Sequence, residues 1–208
     1  MSLAHDERLA LVATMTSVGP EAPTLCAGWT TRDLAAHLIL RERRLDAAPG
    51  ILVAPLAGHT ARVQAGIAAR PYPELLKLVR TGPPAWSPLR WFDAQANLGE
   101  MFVHHEDVRR AGAGWEPRDL GADWDGPLWS LAKRTTRMAF RRAPCTVVVE
   151  AGEGRRVIPR QVAGADQVTM VGTPPELVLY GFGRDAVRVA LDGPDRAVAA
   201  VRALTRGV

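Results

Sequence analysis

The stretch Leu89-Arg-Trp-Phe-Asp-Ala-Gln-Ala-Asn-Leu-Gly-Glu100-Met-Phe-Val-His104-His-Glu-Asp-Val-Arg-Arg-Ala111 carries the clearest helical signal in the chain. Phe92, Leu98, Met101, Phe102 and Val108, with alanines between them, supply an apolar stripe, and Gly112 and Gly114 stop it. On such a helix Glu100 and His104 emerge from one face about one turn apart. His105 is rotated from His104 by about 100° and faces a different neighbour.

Upstream of this helix the same periodicity recurs. Leu3 to Ser17 reads as an amphipathic helix through Leu3, Leu9, Leu11, Val12 and Met15, ended by Gly19-Pro20. Thr30 or Thr31 caps a second helix with Asp33 in its first turn and Leu34, His37, Leu38 and Leu45 toward the core. Trp29, just before the cap, suits a hydrophobic staple. Short helices are expected from about Thr60 to Ala69 and from Pro73 to Arg80, and Pro83-Pro84 with Pro88 marks a turn. Downstream, Asp125 to Arg142 reads as one more helix, so four or five helices fill the first 142 residues.

Beyond Pro144 the period changes. Cys145 to Glu150 and Gln167 to Val171 are β-branched runs that read as strands. A helix is expected at Pro174 to Phe182, a strand at Ala186 to Leu191 and a last helix from Pro194 to about Leu204. The fold class is therefore mainly α, with a helical unit over residues 1–142 and a small α/β unit over 143–208.

Composition narrows the function classes. At 208 residues with 47% apolar side chains, the chain buries a real core, which rules out wholesale disorder. The uncharged run from Ala47 to Ala61 is interrupted by Pro49, Pro55 and His59 and falls short of the roughly 20 apolar residues of a spanning helix. No membrane partner is expected. The N-terminus lacks the layout of a secretory signal, so a cytoplasmic location is the expectation.

Cys26 and Cys145 are far apart and form no CxxC motif, which argues for thiols rather than a disulfide framework or a cysteine-based structural zinc site. The net charge of +4 and the pI near 9.7 come almost wholly from arginine, since Lys77 and Lys133 are the only lysines. Acids are interleaved with those arginines, as in Arg41-Glu-Arg-Arg44 and Glu106-Asp-Val-Arg-Arg110, which reads as solvated helix faces and not as a phosphate track. No nucleic acid partner is expected. The arginine-for-lysine usage and the single Asn97 fit a GC-rich genome.

Several short motifs fail on context. Gly181-Phe-Gly-Arg-Asp-Ala186 closes a helix and precedes a strand, the reverse of a dinucleotide fingerprint. Asp123-Trp-Asp125-Gly126 lacks the later Glu of a calcium loop. No Gly-x-Ser-x-Gly elbow or Walker loop is present.

Metal chemistry has better candidates. Glu100 and His104 share a helix face, and His37 sits on the apolar side of the second helix, where an imidazole needs a partner. A His, Glu, His set gives two nitrogens and one carboxylate and leaves a fourth position on a divalent ion open, as in catalytic zinc sites. Each residue also has an ordinary reading: His37 as a core histidine bonded to a backbone carbonyl, Glu100 as a carboxylate paired with an arginine, His104 as a surface imidazole.

The run Thr24-Leu-Cys-Ala-Gly-Trp-Thr-Thr-Arg-Asp-Leu-Ala-Ala-His37-Leu resembles the Cys-x-Gly-Trp-[ST]-x-x-Asp-x-x-x-His signature of the mycothiol-dependent maleylpyruvate isomerase-like family, within the DinB-like superfamily. The segment Glu100-Met-Phe-Val-His104-His-Glu-Asp107 resembles that family's Glu-x-x-x-His-x-x-Asp segment. Gly172 to Arg184, followed by Val189 and Asp192-Gly-Pro, is similar to its small C-terminal domain.

The resemblance implies an antiparallel four-helix bundle holding a divalent metal, commonly zinc, on His37, Glu100 and His104. It also implies mycothiol as cosubstrate and a thiol transfer or thiol-assisted isomerisation on a small electrophile. Arg184 stands as the anion-binding candidate of the reaction, with a solvated arginine at a helix terminus as its ordinary reading. The rival expectation is a non-catalytic helical protein that binds a metal or small ligand, or forms a homodimer through exposed apolar helix surface.

Overall fold

The computed structural model describes residues 2–87 and 94–206, with 94–96 given by their backbone alone. The expected beginning of the long helix, with Leu89, Trp91 and Phe92, lies outside the described residues, as does the turn residue Pro88. The chain is mainly helical with one small four-stranded sheet, and it divides into two compact units, Met1–Glu116 and Pro117–Val208.

In the first unit, α1 (Leu3–Val18) starts at Ser2, whose side chain accepts from the His5 amide, and ends at Gly19 with φ of 85°. Helix α2 (Thr31–Arg43) opens on a capping box: Thr30 accepts from the Asp33 amide and Asp33 accepts from the Thr30 amide at 2.9 Å. Two short 3-10 turns, Ala48–Ile51 and Ala54–Leu56, lead into α3 (Ala57–Ala68), followed by α4 (Tyr72–Thr81) and α5 (Ala94–Arg109).

Helix α1 packs along α5 and α4, and α2 along α3 and α4. Leu11, Met15, Leu34, Leu38, Leu75, Val79 and Met101 form the buried centre, with Trp29 packed against its edge. Those residues recur at helical spacing on each element, so the local pattern and the core agree. The buried Arg8 guanidinium pairs with Glu42 and donates to the Val79 carbonyl at 2.9 Å, which ties α1, α2 and α4 together.

The second unit contains α6 (Ala122–Phe140), β1 (Thr146–Ala151), β2 (Arg155–Arg160), β3 (Gln167–Val171), α7 (Pro174–Gly181), β4 (Ala190–Asp192) and α8 (Asp195–Arg202). The sheet order is β2-β1-β3-β4, with β1 and β3 parallel and both outer pairs antiparallel. Val147, Val148 and Val149 on β1 are all buried, as a central strand covered on both faces requires.

The boundary expected after residue 142 moves upstream. Helix α6 packs on α7 and β2, burying Leu128, Leu131, Ala132, Thr136 and Phe140, and so belongs to the second unit. An amphipathic stripe requires a partner but does not say which one. The sequence pattern does not show strand β2, because Arg155, Arg156, Pro159 and Arg160 mask its alternation. Its place at the sheet edge accommodates Pro159, which has no amide to donate to a ladder. The strand expected at Ala186 to Leu191 is shorter and later, Ala190–Asp192.

Candidate metal centre

Two helix registers in the first unit converge on one point. His37 and Arg41 lie one turn apart on α2; Glu100, His104 and Asp107 follow at i, i+4 and i+7 on α5. Glu100 Oε1 lies 3.5 Å from His37 Nε2 and 3.3 Å from His104 Nε2. The three donor atoms fall within 4.8 Å of one another. His37 and His104 are both buried, and their rings meet edge to face at 5.4 Å between centroids. Trp29 closes the other side of His37 at 5.0 Å. The sequence-derived triad is therefore brought together as a two-nitrogen, one-carboxylate cluster, with both imidazoles buried and Glu100 half-buried.

The surroundings of this cluster are polar and ordered. Asp107, fully buried, accepts from His104 Nδ1 at 3.0 Å, which turns Nε2 toward Glu100 and His37. Arg41 Nε lies 3.4 Å from the same Glu100 oxygen. Burial works against the His104 imidazolium, yet its hydrogen bonds to Asp107, Cys26 and Glu100 outweigh that cost and hold its pKa well above the ordinary 6.5. Burial likewise works against the Glu100 carboxylate, and the two histidines together with Arg41 overcome it, keeping the group well below the ordinary 4.5. For His37 burial wins and the pKa is lowered, which favours the neutral ring.

His105 takes no part in this cluster. Its Nδ1 lies 2.8 Å from Glu7 Oε1 and its Nε2 2.8 Å from Thr14 Oγ1, both on α1. The rotation of one residue along α5 separates the two adjacent histidines, as helical geometry requires. Arg184 belongs to the second unit, where it follows α7 and donates to the Phe182 carbonyl at 2.8 Å. His59 pairs with Asp46 on the surface.

Spacing alone does not single out three groups at the centre. Asp107 and Arg41 continue the helical registers of His104 and His37, so a wider search along each face finds them. Cys26 has no such local signal. It stands in the turn before α2, where the Leu25 amide donates to the Asp107 carbonyl at 3.0 Å, one of the open acceptors at the end of α5. That contact brings the Cys26 thiol to Asp107, where it donates to Oδ2 at 3.2 Å.

Comparison with protein-family models, curated proteins and solved structures returns no match for this chain. No described helix is long and apolar enough to cross a membrane.

Proposed function

We propose that the first unit is a divergent four-helix bundle of the DinB-like type, holding a divalent metal, with zinc the favoured ion, on His37, Glu100 and His104. The observation that carries this reading is the convergence of their three donor atoms, from α2 and α5, within 4.8 Å of one another. The donor set fits: two imidazoles and one carboxylate satisfy three positions of a tetrahedral ion. Glu100 remains ionised, Asp107 holds the His104 ring by its other nitrogen, and Arg41 stands beside the carboxylate as a fixed cation.

The reaction class follows from what such a site does. A bound ion with one open position acidifies a coordinated thiol, which supplies a thiolate at neutral pH. Neither Cys26 nor Cys145 stands in a motif that would make the protein its own nucleophile, and the signatures around His37 and Glu100 resemble those of mycothiol-dependent proteins. The proposed activity is thiol transfer, or isomerisation through reversible thiol addition, on a small electrophile, with mycothiol as the cosubstrate. Calorimetric titration of mycothiol into the zinc-loaded protein tests this, with saturable binding expected and its loss expected in Glu100→Ala. Zinc binding without thiol binding leaves the rival reading, a non-catalytic metal-binding protein.

A further inference from the structure

The two nitrogens of His104 face different donor sets. Nε2 meets His37 and Glu100, whereas Nδ1 meets Asp107 at 3.0 Å and lies 4.0 Å from Cys26 Sγ. With 3.2 Å between Cys26 Sγ and Asp107 Oδ2, these three atoms form a compact sulfur, nitrogen and oxygen triangle. A tetrahedral zinc or cobalt ion places such donors about 3.3–3.6 Å apart, so shifts of roughly half an ångström convert the triangle into a coordination face.

The backbone has already placed the thiol. Thr24 Oγ1 accepts from the Cys26 amide at 3.2 Å and donates to the Trp29 carbonyl at 3.0 Å, and the Cys26 carbonyl accepts from the Trp29 amide at 2.9 Å. Gly28, at φ of 77°, makes the left-handed step that closes this turn. Pro23 and Thr30 bridge its ends, and the Leu25 amide fastens it to α5. Cys26 therefore sits on a self-bonded turn anchored at both ends. It is half-buried while Asp107 is fully buried, which leaves the sulfur side as the route by which an ion enters.

The geometry points to a second metal site, formed by Cys26 Sγ, His104 Nδ1 and Asp107 Oδ2, selective for a thiophilic divalent ion and bridged to the first site through the His104 ring. Binding there breaks the Cys26 S–H and His104 Nδ1–H bonds, releases both protons to solvent and forms metal–sulfur and metal–nitrogen bonds in their place. No electron changes hands. With both sites filled, two divalent ions carry four positive charges against Glu100, Asp107, the Cys26 thiolate and the bridging imidazolate. The ligand set then balances the charge of the ions, a condition that partly buried surroundings favour. Sulfur selects zinc, cobalt or copper over magnesium or calcium.

This inference shares His104, and Asp107 as the group that orients its ring, with the site of the proposed function, and the test separates the two through Cys26 and His37. Cobalt(II) is titrated anaerobically into the metal-free full-length protein while stoichiometry and the near-ultraviolet thiolate-to-cobalt charge-transfer band are followed. Wild type is expected to bind two equivalents, with the thiolate band accompanying one of them. Cys26→Ser is expected to bind one equivalent without the band and with unchanged circular dichroism. His37→Ala is expected to retain the band, and Asp107→Asn to weaken binding of the ion that produces it. A single equivalent with no thiolate band in wild type, lost in His37→Ala, overturns the second site and leaves the first intact. A single equivalent carrying the band and indifferent to His37→Ala does the reverse.

Discussion

His104 Nδ1 lies 3.0 Å from Asp107 Oδ2, and this bond between residues three apart on α5 decides which nitrogen of His104 meets Glu100 and His37. A metal-ligating histidine held from behind by a carboxylate has its ring plane and tautomer chosen before the ion arrives. The expected consequence is that His104→Ala abolishes stoichiometric zinc at the first site while helix content stays near wild type. Asp107→Asn retains that site and weakens it by roughly 10–100-fold. Elemental analysis of the dialysed proteins, with circular dichroism alongside, measures both. Full zinc content in His104→Ala would sink the assignment.

His105 supplies the contrasting experiment. Its bonds to Glu7 and Thr14 fasten α5 to α1. His105→Ala removes a donor to the buried Glu7 carboxylate, at a cost of about 1–3 kcal/mol of stability. Zinc stoichiometry is expected to stay at the wild-type value. Urea denaturation read together with metal content checks this, and loss of metal at full stability would mean that the ligand register on α5 is wrong by one residue.

The pH dependence of the metal-free protein follows from two shifts of opposite sign. His104 has its pKa held well above 6.5, so the folded chain keeps a proton that the unfolded chain releases. That contribution is fully present below about 6.5 and is lost as pH rises through the folded value. Glu100, held well below 4.5, contributes above that ordinary value, and its contribution is lost as pH falls through the folded one. The urea midpoint of metal-free wild type is therefore expected to decline from neutral toward alkaline pH, and His104→Gln to flatten that decline. An identical slope in the variant would remove His104 as its source.

Gly181 of α7 lies directly against Thr135 of α6. A Cβ at this position stands 2.7 Å from Thr135 Oγ1 and 2.9 Å from Thr135 Cβ, distances that packed side chains do not sustain. Gly181→Ala is expected to destabilise the second unit by about 1–3 kcal/mol. Thr135→Ser relieves only part of the contact, whereas Gly181→Ala combined with Thr135→Gly is expected to recover part of the loss. Thermal melting of the three variants decides it, and an unchanged melting temperature in Gly181→Ala would show that the helices separate freely there.

What the sequence determined by itself is local. The capping box at Thr30 and Asp33, the apolar stripes of α1, α2 and α4, and the i, i+4 pairing of Glu100 with His104 all depend on groups within a turn or two of each other. Their geometry follows from the 3.6-residue period alone. His37 stands out locally only as an imidazole on an apolar face in need of a partner, and no local rule pairs α2 with α5.

Tertiary structure decided the rest, wherever partners are distant along the chain or a surface accepts more than one neighbour. It placed Cys26 against Asp107 by fastening a loop to the open carbonyls of α5, and it turned His105 toward Glu7. It assigned α6 to the second unit, because an amphipathic stripe specifies that it must be covered and leaves the covering element open. It also revealed β2, whose arginines and proline read as a loop until β1 supplies the hydrogen-bonding edge that makes them a strand.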